Sequence, residues 1–349
     1  MHQLLGALHA GDAVGHEALE IQRALRGAGL RSEIYAGRID GDLQGRARPL
    51  AERPERGALL YHFAPGSPAT AAALATAGPL GLVYHNVTPA GYFAGWEPEA
   101  ARLSARAPLE LRQLGPRVLV ALAHSAFSRA DLDAAGFRRT EVVPFPVLLP
   151  TTPPSRVLER LWCDGTPTFL CVGRVAPNKG LEDALCAFAA YRRRHVRRSR
   201  LLVVGETESC ARYAAALRLL EARLRLEDVT WTGRVPEPEL NAAYGAADAL
   251  LFLSSHEGYG APLVEAMLRG VPVIARDAGA VRETLQGGGA LLSGRDPELV
   301  ADLMAGVQRG GPLRVNVLAA QGRSVDSKRR QDFASCLLRA LGPILDEAA

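Results

Sequence analysis

Residues 254–274 read SSHEGYGAPLVEAMLRGVPVI, directly after the apolar run Ala249–Leu253. That run has the length of a buried strand, Gly258 and Gly260 break it, and Pro262 suits the first turn of a helix, where a missing N–H costs nothing. A helix is therefore expected from about Ala261. The first N–H groups of a helix have no partner within it, and the start carries about half a positive charge, so the turn Gly258–Gly260 is a candidate anion site. Glu257 lies in the turn and Glu265 one turn into the helix. This arrangement suits a ligand with an anionic middle and hydroxyls at both ends. The alternative is structural, because strand, glycine turn and helix recur throughout α/β proteins and a glutamate near a helix start often serves only the dipole.

Working outward, a second strand-like run near Thr168–Val175 leads into Gly173-Arg174-Val175-Ala176-Pro177-Asn178-Lys179-Gly180 and then a helical pattern through Ala184, Ala187, Phe188 and Tyr191. Arg174 and Lys179 can grip a diphosphate from two sides, one as a fork and the other as a point charge. Taken alone, the stretch reads more readily as an ordinary surface loop. The chain holds 2 lysines, Lys179 and Lys328, against 39 arginines. A lysine kept under that bias points to a position that needs a compact ammonium.

The spacing of Glu257 and Glu265 around Gly258, Tyr259, Gly260, Ala261, Pro262 and Leu263, with the Arg174/Lys179 loop in the right order before it, resembles family 4 retaining glycosyltransferases of the GT-B fold. The resemblance is strong over about 168–285 and weaker before 150; bacterial exopolysaccharide-type hexosyltransferases are also similar at Gly11–Ala36 and Tyr84–Pro89. It implies an α/β chain of two doubly wound Rossmann-like domains facing each other across a cleft. By resemblance, Arg174 and Lys179 hold the diphosphate of a UDP- or GDP-sugar, Glu265 takes the ribose hydroxyls, and Glu257 contacts the transferred sugar. Gly233, Arg234 and Val235 match a segment that lines the base pocket through its backbone. His85 matches a histidine near the transferred sugar, with Asn86, Thr88, Tyr92, Phe93 and Trp96 as an expected polar-aromatic wall, although a lone histidine is usually structural. Gly11 and Asp12 match a place where relatives have two glycines. Asp12 departs from that pattern, since a carboxylate would repel a diphosphate; facing an acceptor and capping the first helix are both open. Asp248 also fits the family pattern, and a helix-end aspartate that stabilises a turn is an equal account.

At 349 residues, two domains are the default. Alternating strand and helix patterns place an N-terminal, acceptor-side domain at 1–147 and a nucleotide-sugar domain at 148–326, with a proline-rich connector between them. Residues 327–349 resemble the last GT-B helix, which crosses back to the first domain. Apolar residues make up 48% and charged ones 22%, no apolar run reaches a membrane span, and no signal peptide is legible, so a cytoplasmic location is expected. The net charge of +4 is spread along the chain and argues against nucleic acid. The cluster at 192–200 reads as a solvated face, with peripheral contact at the inner membrane face as the minority reading. Five cysteines without ligand spacing argue against a disulfide framework or a zinc site. Asp40/Asp42 and Asp131/Asp133 have metal-binding spacing, but one pair falls in a polar loop and the other on a helix behind Ser128, whose spacing to Asp131 is that of a capping box.

The expected activity is thus metal-independent retaining transfer of a hexose, without a cofactor, to a glycan, glycolipid or small-molecule hydroxyl. A GT-B-fold nucleotide-sugar epimerase and a non-catalytic nucleotide-sugar binder are the alternatives.

Overall fold

The computed structural model describes residues 1–9, 11–146 and 151–348. The domain boundary expected at 147/148 lies outside them. Apolar runs of four to seven residues become strands. The first sheet contains β1 (His2–Leu8), β2 (Ile34–Ile39), β3 (Arg48–Pro49), β4 (Leu59–His62), β5 (Leu80–Tyr84), β6 (Val118–Ala123) and β7 (Thr140–Val142). The second contains β8 (Thr168–Val172), β9 (Arg200–Val204), β10 (Val229–Gly233), β11 (Ala249–Phe252), β12 (Val273–Arg276) and β13 (Ala290–Leu292). Neighbouring strands pair in parallel throughout the described sheets. Parallel strands need helical crossovers that cover both faces, which is why β5, LGLVY, is buried at every position. Edge strands β3, β7 and β13 have no counterpart in the sequence reading. Two or three residues carry no periodicity to read.

The strand orders are β3-β2-β1-β4-β5-β6-β7 and β10-β9-β8-β11-β12-β13. Each order reverses once, between β1 and β4 and between β8 and β11. At such a switch point the connections leave in opposite directions and open a crevice at the carboxyl ends of the strands. The loops after β8 and β11 are the two that the sequence singles out.

The chain forms two compact units, Met1–Gly91 with Pro98–Pro146 and Arg330–Ala349, and Tyr92–Glu97 with Val147–Arg329. The segment expected as one helix from residue 327 is broken. A helix ends at Arg329, Asp332 caps Phe333–Ala340, and Gly342–Ala348 follows. Leu337, Leu341 and Ile344 join Ile21, Leu25 and Val120 in the core of the first unit. Tyr92, Phe93 and Trp96, expected as a wall with His85, group with the second unit. There Phe93 is buried, Tyr92 donates to the Ser255 carbonyl and Trp96 meets Tyr213 edge to face. The arginines at 192–200 are largely ion-paired, Arg192 to Asp228, Arg193 and Arg194 to Glu298, and Arg200 to Asp164. No helix of the described residues is long and apolar enough to cross a membrane.

Candidate active site

In the second unit the loops after β8 and β11 are zipped together. Asn178 donates to the His256 carbonyl at 3.1 Å, and the Ser255 N–H donates to the Asn178 carbonyl at 2.8 Å. Gly180, at φ +64°, closes this contact, because a Cβ there would overlap the Leu253 carbonyl. Lys179 Nζ then donates to Glu257 Oε2 at 2.8 Å, with both side chains largely buried. Arg174, from the same loop, is exposed. The expected helix starts at Ala261 behind Gly260, at φ +89°, with Pro262 in its first turn.

Glu265 is held from one side, where Tyr244 O–H donates to its Oε2 at 2.8 Å. The Arg269 guanidinium stacks on the Tyr244 ring at 4.7 Å and donates to Asn241 Oδ1 at 2.8 Å. Burial and the Glu265 charge push the Tyr244 hydroxyl well above its ordinary range, so it stays a donor. Tyr244 is absent from the sequence reading because its partner lies a helix and a strand further along the chain.

The Glu257–Gly260 turn is braced from behind by a segment that the sequence reading passes over. The Ala280 N–H donates to the Glu257 carbonyl at 2.9 Å and Thr284 Oγ1 to the Tyr259 carbonyl at 2.6 Å. Both lysines meet this turn: Lys179 at Glu257, and Lys328, 7% exposed, with its Nζ 5.8 Å from the Tyr259 ring centroid. Burial lowers the Lys328 ammonium below its ordinary value.

Two expected ligand-contacting side chains face inward. Leu263 is fully buried and its N–H donates to the Gly260 carbonyl, while Tyr259 packs on the core. Gly233, at φ +69°, ends β10, and its carbonyl accepts from the Gly205 N–H at 3.0 Å. Gly173, Gly205 and Gly233 thus close three adjacent strands without side chains. Arg234 is exposed and Val235 is partly packed on the core. Asp248 is structural: it lies at the amino end of β11, 2% exposed, and accepts from the Thr168 and Arg309 N–H groups at 2.8 and 2.9 Å.

In the first unit Asp12 caps the helix Ala13–Gly27, accepting from the Gly15 N–H at 2.5 Å, and Gly11 turns the chain at φ +72°. The helix behind Asp131 is capped by Ser125, not Ser128, whose N–H donates to Ser125 Oγ at 3.0 Å. Asp131 and Asp133 have separate partners, Tyr84 and Asn86 for the first and Thr140 for the second. Asp40 pairs with His9. His85 follows β5, and Asn86 beside it is held at φ +67°, a strained conformation for a residue with a side chain. His85 is 13% exposed, with His62 and Glu17 against its ring. Glu17, His62 and His85 each offer one atom within 4.8 Å of the others, as a metal site would. His62 Nδ1 and His85 Nε2, however, face each other at 3.0 Å as hydrogen-bond partners, so their lone pairs do not converge on a common point.

Two parallel Rossmann-like halves of this kind define the GT-B fold. The Anabaena protein HepE, solved in complex with UDP and glucose, superposes with a TM-score of 0.72 over 99% of both chains at 17% identity. Residues 166–308, the segment that carries both loops, match the family described as glycosyl transferases group 1. A GDP-mannose-dependent alpha-(1-6)-phosphatidylinositol monomannoside mannosyltransferase of Mycobacterium tuberculosis is 35% identical over 149 residues, 40% of this chain and 37% of that protein. The D-inositol 3-phosphate glycosyltransferase of Frankia alni is 36% identical over 164 residues, 45% of this chain and 40% of that protein. The chain thus spans about two fifths of the length of the curated relatives it matches.

Proposed function

We propose that the protein is a retaining, metal-independent glycosyltransferase that moves a hexose from a GDP- or UDP-sugar to a hydroxyl acceptor. The observation that carries this reading is the Lys179–Glu257 contact, which joins a cationic loop and a carboxylate loop at the switch point of the second sheet, inside the segment matched to glycosyl transferases. Arg174, Lys179 and the helix start at Ala261 supply positive charge for a departing diphosphate, the largest charge that develops in such a transfer. As the bond from the anomeric carbon to the diphosphate breaks, the acceptor oxygen bonds to that carbon from the same face, and its proton passes to the leaving phosphate oxygen. Glu265, held by Tyr244, takes the ribose hydroxyls, and Glu257 the hydroxyls of the sugar. The first unit receives the acceptor, at the carboxyl end of its own sheet.

A thermal-shift panel of nucleotides and nucleotide sugars tests the donor. A ligand at 100 times its dissociation constant adds about 2.7 kcal/mol, and either the GDP or the UDP series should stand out. Turnover with that donor should survive EDTA. Activity that is lost in EDTA and restored by magnesium or manganese would remove the cationic-loop account, and conversion of the donor without an acceptor would indicate an epimerase instead.

A further inference from the structure

Three histidines stand side by side at the carboxyl ends of adjacent strands. His62 closes β4, while His85 and His124 follow β5 and β6 directly. Glu17, on the helix after β1, is 1% exposed and turned toward them. A carboxylate at that depth is costly unless it is paired.

The contacts run as one chain. Gln3 Nε2 donates to the Ala18 carbonyl at 2.9 Å, which orients the amide so that its Oε1 accepts from His62 Nε2, also at 2.9 Å. His62 Nδ1 is left as the acceptor for His85 Nε2–H at 3.0 Å. The two ring centroids are 5.2 Å apart and the planes 9° from parallel. With nitrogens so much closer than centroids, the rings lie edge to edge in nearly one plane, as an N–H···N bond requires. Beyond them, His85 Nδ1 is 3.3 Å from Glu17 Oε2, Glu17 Oε1 is 2.8 Å from His124 Nε2, and His124 Nδ1 donates to the Val143 carbonyl at 3.2 Å. With Glu17 ionised and His124 doubly protonated, a proton occupies every contact but one. The exception is His85 Nδ1 to Glu17 Oε2, the longest in the chain.

The electrostatics agree. Burial alone would lower His124, but the charge and hydrogen bond of Glu17 raise it above its ordinary value. Burial alone would raise Glu17, yet His124 and His85 bring it below its own. Burial holds His62 and His85 down at about 3, so both are neutral at pH 7.

We infer that His62 is a positioning residue that holds the His85 ring through its Nε2–H, with the Glu17 carboxylate packed at the other ring nitrogen, so that His85 meets a bound sugar through its main chain and ring edge and not as a proton donor or acceptor. This rests on the proposed function for its kinetic consequence, whereas the hydrogen-bonded chain stands without it.

Long-range 1H–15N spectra of histidine-labelled protein between pH 5 and 8 test the chain without any substrate. His62 and His85 should stay neutral with Nε2 protonated, and His124 should titrate above its ordinary value until Glu17→Gln removes its partner. A His85 that titrates near its ordinary value, or a stoichiometric zinc that remains after dialysis, would overturn the inference. The kinetic arm uses the donor found by thermal shift. His62→Leu should lower kcat tenfold or more with donor KM within about twofold, and His62→Asn, which offers an oxygen where Nδ1 was, should recover most of it. The pH profile of kcat/KM should keep its shape in His85→Gln; a limb that disappears there would make His85 an acid or base. If no donor turns over, the proposed function fails while the spectra still decide the chain.

Discussion

At the scale of single residues, the contact between Lys179 and Glu257 sets opposite expectations for its two members. A diphosphate must share Lys179 with a carboxylate that already accepts from it at 2.8 Å. Removing Glu257 releases the ammonium, so Glu257→Ala should bind the bare nucleoside diphosphate at least as tightly as the unaltered protein and lose most turnover, because sugar contacts strengthen toward the transition state. Lys179→Ala removes a charge-assisted hydrogen bond of ~1.5–3 kcal/mol and should weaken the same ligand about 10- to 100-fold. Calorimetry with both folded variants checks this, and equal losses in the two would mean that Glu257 serves the diphosphate and not the sugar. Lysine scarcity had marked Lys179 in the sequence, but its partner stands 78 residues away and only the fold names it.

At the scale of elements, two turns with the same backbone requirement differ in what lies behind them. Gly279 and Gly270 have φ +57° and +66°, and a Cβ at Gly279 would overlap the Glu257 carbonyl while one at Gly270 meets nothing within 4 Å. Gly270→Ala should therefore cost about 1 kcal/mol and keep activity, whereas Gly279→Ala should displace the donor turn and cut turnover tenfold or more. Steady-state rates beside denaturant melts separate the two effects. The strand ends β4 to β6 make a second element-scale case, this time in acid. The unfolded chain takes up protons on His62 and His85 near their ordinary 6.5, and the folded chain refuses them until about 3. Stability should therefore fall as pH drops below 6.5, by up to about 1.4 kcal/mol per unit for each ring. His124 is raised, so its contribution is already complete below 6.5 and offsets none of that slope. Glu17 is lowered, so its contribution begins to fade only below its ordinary 4.5. Urea unfolding at pH 7, 6 and 5 should show the decline, and His62→Asn should remove about half of it.

At the scale of the whole molecule, the end of the chain completes the core of the first unit. Ile344 and Leu341 are fully buried, and Gly81 on β5 leaves the space that Ile344 fills. Ile344→Ala should cost ~2–5 kcal/mol. The three tryptophans, Trp96, Trp162 and Trp231, all lie in the second unit. The variant should accordingly lower the melt followed by far-UV circular dichroism while nucleotide binding, followed by tryptophan fluorescence, is retained. Loss of both together would show that the tail supports more than its own unit.

The sequence by itself determined the parallel α/β class, the inner strands to within a few residues, the helix start at Ala261 and the two loops that flank β8 and β11. Each is written locally, in an apolar run, a glycine with positive φ or a proline in a first turn. Only the tertiary structure decided what those local pieces meet. Strand order, not spacing along the chain, sets β8 beside β11 and so Lys179 against Glu257. The same ordering brings His62, His85 and His124, each a strand and a helix apart in sequence, into one row beside Glu17. The segment Tyr92–Glu97 left the first unit because its partners Ser255 and Tyr213 are remote residues that no window of sequence contains.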